Sequence, residues 1–384
     1  MKLSLKPLDQ QIMVVTGASS GIGLVTARMA AQRGAKLVLA ARNAEAIQQL
    51  ADEICSQGGQ AIAVPTDVSK EADMTHLAEA AIAAFGTFDT WVNNAGVSIF
   101  GSTEEVSIPD MRHMFDTVFW GQVYGSRLAA GHFKERGQAG ALVNVGSLFG
   151  DWPTPVQSTY ASAKHALHGW TSALRMELEK EKAPVSVTLV HPGRIDTPYN
   201  EHARSYLDKQ PSHRGMVYPP EAVAEAILFA AAHPKRDMYV GFQAKIFALL
   251  APIIPSITDK VLELWMYPSQ HDDRPSRSRE DNALYRPGYG LHERGTHHGW
   301  FRSGSIYVKA QEHPLVALAA VAGLGLATTL LLKSRKRTKA TSPYKAPAAD
   351  SAAGDALAPM PDERYSPASE EEIETLVVTE LVSY

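Results

Sequence analysis

Tyr160 and Lys164 stand four residues apart in Thr159–Lys180, a stretch with helical apolar spacing, so the two side chains share one helix face. A phenol with an ordinary pKa near ~10 is a poor base at neutral pH. An ammonium group beside it stabilises the phenolate and makes proton transfer feasible. Alone, such a pair is an ordinary helix surface. Its meaning depends on the loop Thr16-Gly17-Ala18-Ser19-Ser20-Gly21-Ile22-Gly23. Glycines there let the backbone turn tightly and approach a pyrophosphate, and the helix that follows presents free N–H groups at its N-terminus. A third signal is Ala40-Ala41-Arg42. A carboxylate in the place of Ala41 would accept hydrogen bonds from a ribose 2′-hydroxyl, whereas the guanidinium of Arg42 suits a 2′-phosphate. The pattern therefore favours NADP(H) over NAD(H).

Those groups need a scaffold, and the chain spells one out. Short strand-like runs at Gln11–Thr16, Lys36–Ala41, Ala61–Thr66 and Thr90–Asn93 alternate with helical spacing at Leu24–Arg33, Ala44–Gln57 and Glu71–Phe85. Further strands are expected at Gly140–Val145, Val185–Val190 and Met238–Val240, with helices over Met111–Lys134, Thr159–Lys180 and Pro220–Ala232. Buried strands alternating with helices imply an α/β fold, a Rossmann-type doubly wound parallel sheet in three layers. The glycine loop falls between the first strand and the first helix, where a dinucleotide fingerprint must lie.

In order along the chain stand TGxxxGxG at Thr16–Gly23, Asp67-Val68 after the third strand, Asn93-Asn94-Ala95-Gly96 after the fourth, Ser147, Tyr160-x-x-x-Lys164, and Pro192-Gly193 followed by Ile195 and Thr197. Together they resemble the short-chain dehydrogenase/reductase family over about residues 8–245. The resemblance implies that Ser147, Tyr160 and Lys164 are catalytic. Ser147 would bond the substrate oxygen, Tyr160 would exchange its proton and Lys164 would also hold the nicotinamide ribose. It implies cofactor contacts from Gly17, Ser19, Ser20, Gly21, Ile22, Gly23, Arg42, Asp67, Val68, Asn94, Ala95, Gly96, Pro192, Gly193, Ile195 and Thr197, and a homodimer or homotetramer. The sequence departs from the family at Val118, where an asparagine usually holds a water in a proton relay. Thr117 and Gln122 are the nearby polar substitutes.

The remaining features bound the reading. The chain has 384 residues, 45% hydrophobic and 20% charged, with a formal net charge of −4. That composition suits a globular enzyme and gives no bulk electrostatic case for a nucleic-acid partner. A single cysteine, Cys55, excludes an intrachain disulfide framework and a cysteine-rich zinc site. Adjacent His297 and His298 lack a placed third ligand, so no metal is expected. Trp91, Trp120 and Trp170 read as core packing, and His165 as structural.

After residue 245 the character changes. Residues 246–308 are first apolar, with Pro252 and Pro255 interrupting Ile246–Ile257, and then aperiodic and rich in Arg, His, Gly and Pro. Leu315–Leu332 carries no charge and is followed by basic residues. As a helix it would extend ~27 Å, close to the ~30 Å of a bilayer's hydrocarbon. Residues 309–333 are therefore expected to be a transmembrane helix, in single-pass or monotopic attachment to membrane lipid with a cytoplasmic catalytic domain. Residues 334–384, ending in Glu370, Glu371, Glu372 and Glu374, are expected to be a disordered tail. The expected activity is hydride transfer between NADP(H) and a small-molecule carbonyl or secondary alcohol of apolar character. The rival is a nucleotide-binding scaffold or redox sensor with impaired turnover.

Overall fold

The computed structural model describes residues 3–241, 255–296 and 308–309. All of them lie in one compact unit, Met1–Glu312. The chain builds β1 (Ile12–Thr16), α1 (Gly21–Gln32), β2 (Lys36–Ala41), α2 (Ala44–Ser56), β3 (Ala61–Pro65), α3 (Glu71–Phe85) and β4 (Thr90–Asn93). There follow β5 (Ile99–Phe100), α4 (Ile108–Phe115), α5 (Gly121–Arg136), β6 (Gly140–Val145), α6 (Ser158–Lys180) and β7 (Val185–Pro192). The last part holds α7 (Tyr199–His202), β8 (Arg204–Ser205), β9 (Lys209–Pro211), α8 (Pro220–Ala232), β10 (Asp237–Val240), a helix at Pro255–Val261 and β11 (His271–Pro275).

Seven strands form one parallel sheet in the order β10-β7-β6-β4-β1-β2-β3. The inner strands β1, β2, β4, β6 and β7 are buried on both faces, which explains their continuous apolar runs. Ile47, Leu50, Leu24, Val223 and Ile227 of α1, α2 and α8 pack on one face. Met74, Leu77, Phe133 and Leu178 of α3, α5 and α6 pack on the other. Strand order reverses between β1 and β4, so a crevice opens at their carboxyl ends, the usual place for a ligand in an open α/β sheet.

The sequence pattern differs from the structure in two places. Met111–Lys134 is helical throughout but not regular, because a π-helical turn at Asp116–Trp120 interrupts the α-helical run between α4 and α5. The apolar spacing is almost the same either way, so the extra residue of the bulge leaves no sequence signal. It seats Val118 fully buried in a cluster with Met114 and Tyr160, while Trp120 is 46% exposed and is not core. The second difference is the region after β11, which follows a defined path described below. Among the described residues no helix is long and apolar enough to cross a membrane. Leu315–Leu332, His297, His298 and the acidic tail lie outside the described residues.

Two glycines distinguish steric need from backbone freedom. A Cβ on Gly23 would lie 2.2 Å from Gly17 O and 2.6 Å from Asn94 Nδ2, whereas one on Gly58 would meet nothing within 4 Å, although its φ is +86°. Gly23→Ala should therefore destabilise the chain by about 3 kcal/mol through forced backbone displacement, and Gly58→Ala by only about 1 kcal/mol through positive φ. Urea unfolding midpoints of the two variants check the difference; equal losses contradict it.

Candidate active site

The floor of the crevice is a joint between two loops. Thr16 Oγ1 donates to Val92 O at 3.2 Å and accepts from the backbone N–H groups of Asn94 and Ala95 at 2.9 and 3.1 Å. Asn94 Nδ2 donates back to Thr16 O at 3.0 Å. Gly17, at φ +68°, passes so close that a Cβ would come within 2.8 Å of Ala95 Cα. The chain can turn from β1 into α1 here only because glycines occupy Gly17 and Gly23. Ser20, at the N-cap of α1, makes no side-chain cap bond. The glycine cradle and the helix end fit a pyrophosphate, although the first N–H of α1, that of Gly21, is already taken by His292 O.

Asn93, the first residue of the Asn-Asn-Ala-Gly motif, does different work. Its Nδ2 donates to Asn144 Oδ1, Ser126 Oγ and Gln122 O, and its Oδ1 accepts from Trp91 Nε1. A Cβ on Gly125 would lie 2.2 Å from Asn93 Oδ1, so α5 can press against the strand ends only with glycine there. Asn93 thus locks β4, β6 and α5 together.

Across the crevice, β6 ends in Gly146 and Ser147, while α6 presents Tyr160 and Lys164. The Ser147 hydroxyl accepts from Phe149 N–H at 3.1 Å and lies in hydrogen-bonding reach of Tyr160, as does the hydroxyl of Tyr199. Lys164 Nζ donates to Val145 O at 2.7 Å and sits 5.7 Å from the centre of the Tyr160 ring. Both groups are buried. Burial pushes the Tyr160 phenol up to about 12, only partly offset by the bonds to Ser147 and Tyr199, and pulls Lys164 down to about 7. The expectation that the ammonium lowers the phenol's pKa is therefore corrected for the cofactor-free chain. Desolvation outweighs it, and the lysine's own charge is weakened by the same burial.

Val118 contributes no polar atom beside these residues. Of the two polar substitutes, Thr117 turns its hydroxyl back to His113 O. Gln122 is better placed: its Nε2 shares Val145 O with Lys164, and its buried Oε1 has no protein partner.

The crevice gathers Gly17, Ser19, Ser20, Gly21, Ile22, Arg42, Asp67, Val68, Asn94, Ala95, Gly96, Ser147, Tyr160, Lys164, Pro192, Gly193, Ile195 and Thr197 along one wall-to-wall cleft. Gly23 does not line it; it lies beneath, against Gly17 and Asn94. The cleft also takes in residues that the sequence pattern does not single out: Val97, Leu148, Phe149 and His213 on the side of Tyr160, and Ala283, Pro287 and Gly288 on the side of Arg42. Tyr199 stacks on His213 and meets Tyr160 edge-on.

Ala283 to Glu293 forms a strap along the nucleotide side of the cleft. Tyr285 stacks on His113 and donates to Asp110. Arg42 donates through its two terminal nitrogens to Ala283 O and Leu284 O. Asn43 Nδ2 then holds Gly288 O, Leu291 N–H reaches Ser19 O at 2.7 Å, and His292 O accepts from Gly21 N–H at 2.9 Å. Glu293 closes the run on Arg28. A Cβ on Gly290 would meet Ala46 Cβ at 2.3 Å, so the strap can pass α2 only as glycine. The guanidinium expected to stand open toward a 2′-phosphate is already bonded to two strap carbonyls.

The family described as short chain dehydrogenase matches residues 11–208. The chain is 64% identical over 324 residues to an uncharacterized oxidoreductase, YxnA, of Bacillus subtilis, covering 84% of this chain and 91% of that protein. It is 34% identical over 260 residues to a putative oxidoreductase, SadH, of Mycobacterium tuberculosis, covering 66% and 94%. Among solved structures, a short chain dehydrogenase/reductase from Burkholderia phymatum in complex with NAD aligns at 26% identity and a TM-score of 0.58, over 71% of this chain and all of that one. An alcohol dehydrogenase from Thermococcus sibiricus complexed with 5-hydroxy-NADP aligns at 26% identity and a TM-score of 0.53, over 60% and 94%. The sheet order, the two-loop joint and the sequence matches agree: the chain belongs to the short chain dehydrogenase family of oxidoreductases.

Proposed function

We propose that the chain is an NADP(H)-dependent carbonyl reductase or alcohol dehydrogenase acting on an apolar ketone, aldehyde or secondary alcohol. The observation that carries this reading is the meeting of Tyr160, Ser147 and Lys164 in the cleft that begins at the glycine loop. The loop from Gly17 to Ile22, with Asp67, Val68, Asn94–Gly96, Lys164, Pro192, Gly193, Ile195 and Thr197, would hold the dinucleotide. When bound, its nicotinamide donates or accepts hydride at the substrate carbon. Tyr160, with its pKa near 12, keeps its proton at neutral pH and is set to donate it from Oη to a carbonyl oxygen. Ser147 Oγ, within reach of the same phenol, orients that oxygen. Leu148, Phe149, Val97 and Tyr199 line this end of the cleft and support an apolar substrate.

Arg42 supports NADP(H), because a guanidinium has five N–H donors and the strap uses one on each terminal nitrogen. The solved relatives carry one cofactor of each kind. A second reading, a nucleotide-binding sensor with slow turnover, is favoured by buried Val118 and by the strap's hold on Arg42 and Gly21. We also keep membrane association as part of the proposal. Its support is the Leu315–Leu332 run together with exposed Ile257, Val261, Leu264 and Trp265.

Two sets of variants test the chemistry. Tyr160→Phe should lower carbonyl reduction roughly 10²–10⁴-fold and leave NADPH affinity nearly unchanged; near-normal turnover would falsify the acid assignment. Lys164→Met should also abolish turnover yet stabilise the cofactor-free chain by about 1–4 kcal/mol, since Val145 O keeps its bond from Gln122. The folded-state pKa of Lys164 is depressed from 10.5 to about 7, so the native chain pays the penalty in full below about 7 and is relieved as pH rises toward 10.5. The gain in melting temperature should accordingly be larger near pH 6 than near pH 9; the opposite order contradicts the assignment. For cofactor choice, Arg42→Asp should weaken NADPH at least roughly tenfold more than NADH in a fluorescence titration. Equal losses would remove the phosphate role.

A further inference from the structure

Behind Ser147 lies a buried chain of titratable groups that the proposed hydride transfer does not use. The backbone N–H of Ser147 points at His168 Nε2 at 3.4 Å. His168 Nδ1 lies 3.2 Å from Asp151 Oδ1, and the other Asp151 oxygen lies 2.8 Å from His191 Nδ1. His191 Nε2 faces Asp237 Oδ1 at 3.4 Å, and Arg175 and Arg236 also lie against Asp237 at 3.8 and 3.1 Å. The His191 ring also stacks on Tyr239. The His168 and His191 side chains are 10% and 4% exposed.

Sterics place the His168 ring more firmly than that long bond does. A Cβ on Gly146 or on Gly150 would lie 2.4 Å from the imidazole. The ring is thus wedged under the Ser147 turn, with a glycine on each side of the serine to admit it. Its chemistry follows from its partners. An amide can only donate, so Nε2 must offer a lone pair and the proton must sit on Nδ1, facing Asp151. Carboxylates on both nitrogens of His191 require that ring to be the cation.

We propose that His168 is a positioning residue for Ser147, held in its neutral Nδ1–H tautomer by Asp151, which His191 and Asp237 fix in turn. This rests on the proposed role of Ser147 in orienting the substrate oxygen. The electrostatics agree. Burial, helped by the charges of His191 and Lys164, outweighs Asp151 and lowers His168 to about 4. Burial opposes ionisation of Asp151, yet the hydrogen bonds from His168 and His191 and the charge of His191 bring it down to about 2. Burial likewise opposes charge on His191, but Asp151 and Asp237 prevail and its pKa is raised. The acceptor under Ser147 therefore stays unprotonated through the neutral range. A misplacement of the order of 1 Å at a reacting group costs about 10²-fold in rate, which is the scale of what such a prop protects.

The test is made on the full chain with three variants. Gln at this position can set an acceptor atom where Nε2 lies; Asn is too short, and Phe fills the space without an acceptor. His168→Gln should retain kcat for ketone reduction within about threefold of the wild type, whereas His168→Phe and His168→Asn should lose about 10–100-fold, all with NADPH affinity within about twofold. A packing role alone would instead favour Phe over Gln, and that order overturns the proposal. Nitrogen NMR of 15N-histidine-labelled wild-type protein gives an independent readout should the variants fail to fold. His168 should show a protonated Nδ1 and a bare Nε2 near pH 7, with both nitrogens of His191 protonated; a protonated His168 Nε2 overturns the proposal. Ser147→Ala is assayed alongside. Full turnover in that variant would refute the role of Ser147, while the nitrogen spectra would still decide the tautomer of His168.

Discussion

The site depends on how closely the loops after β1 and β4 cross. Thr16, Gly17, Gly23 and Asn94 meet at distances that leave no room for a Cβ on either glycine. A parallel sheet that reverses its winding between these strands brings their carboxyl ends together, and only a side-chain-free backbone can then turn into α1 without filling the crevice. The opening of the cleft, the direction of the first helix and the seating of Asn94 all follow from this crossing. Asn93 extends the constraint to β6 and α5, so the platform that carries Ser147 is referenced to the same joint.

On that platform, burial sets the chemistry. The same desolvation holds the Tyr160 proton on, loosens the Lys164 proton and keeps His168 neutral. These groups are costly in a protein interior. Two of them are tied to backbone atoms: Lys164 to Val145 O and His168 to Ser147 N–H. Stability is thus traded for buried side chains in defined protonation states.

What the sequence reveals is mostly local. The glycine loop, the Asn-Asn-Ala-Gly turn and the Tyr160/Lys164 pair are short motifs whose spacing fixes their geometry, and the cleft brings them together with Ser147. The strap was not legible. Arg42 meets Ala283 and Leu284 across more than half the chain, and the strap is held largely by its own backbone carbonyls, which leave no trace in side-chain type. Pro287, Gly288 and Gly290 look like linker residues until α2 is seen against them. Asp151, His168 and His191 come from three separate segments, and none has a pattern that joins it to the others. Gln122 was readable only as a polar neighbour of Val118. Its tie to Val145 O depends on the π-helical turn at Asp116–Trp120, which apolar spacing does not disclose.

The central claim is that this cleft transfers hydride to a carbonyl carbon. The most direct measurement uses NADPH deuterated at nicotinamide C4, each face labelled in turn, with the full-length chain and a panel of apolar ketones and aldehydes. Mass spectrometry of the alcohols reads the outcome. The account predicts one deuterium on the former carbonyl carbon from one labelled face only. Unlabelled alcohol from both cofactors, or no alcohol from any member of the panel while NADPH binds, would contradict it.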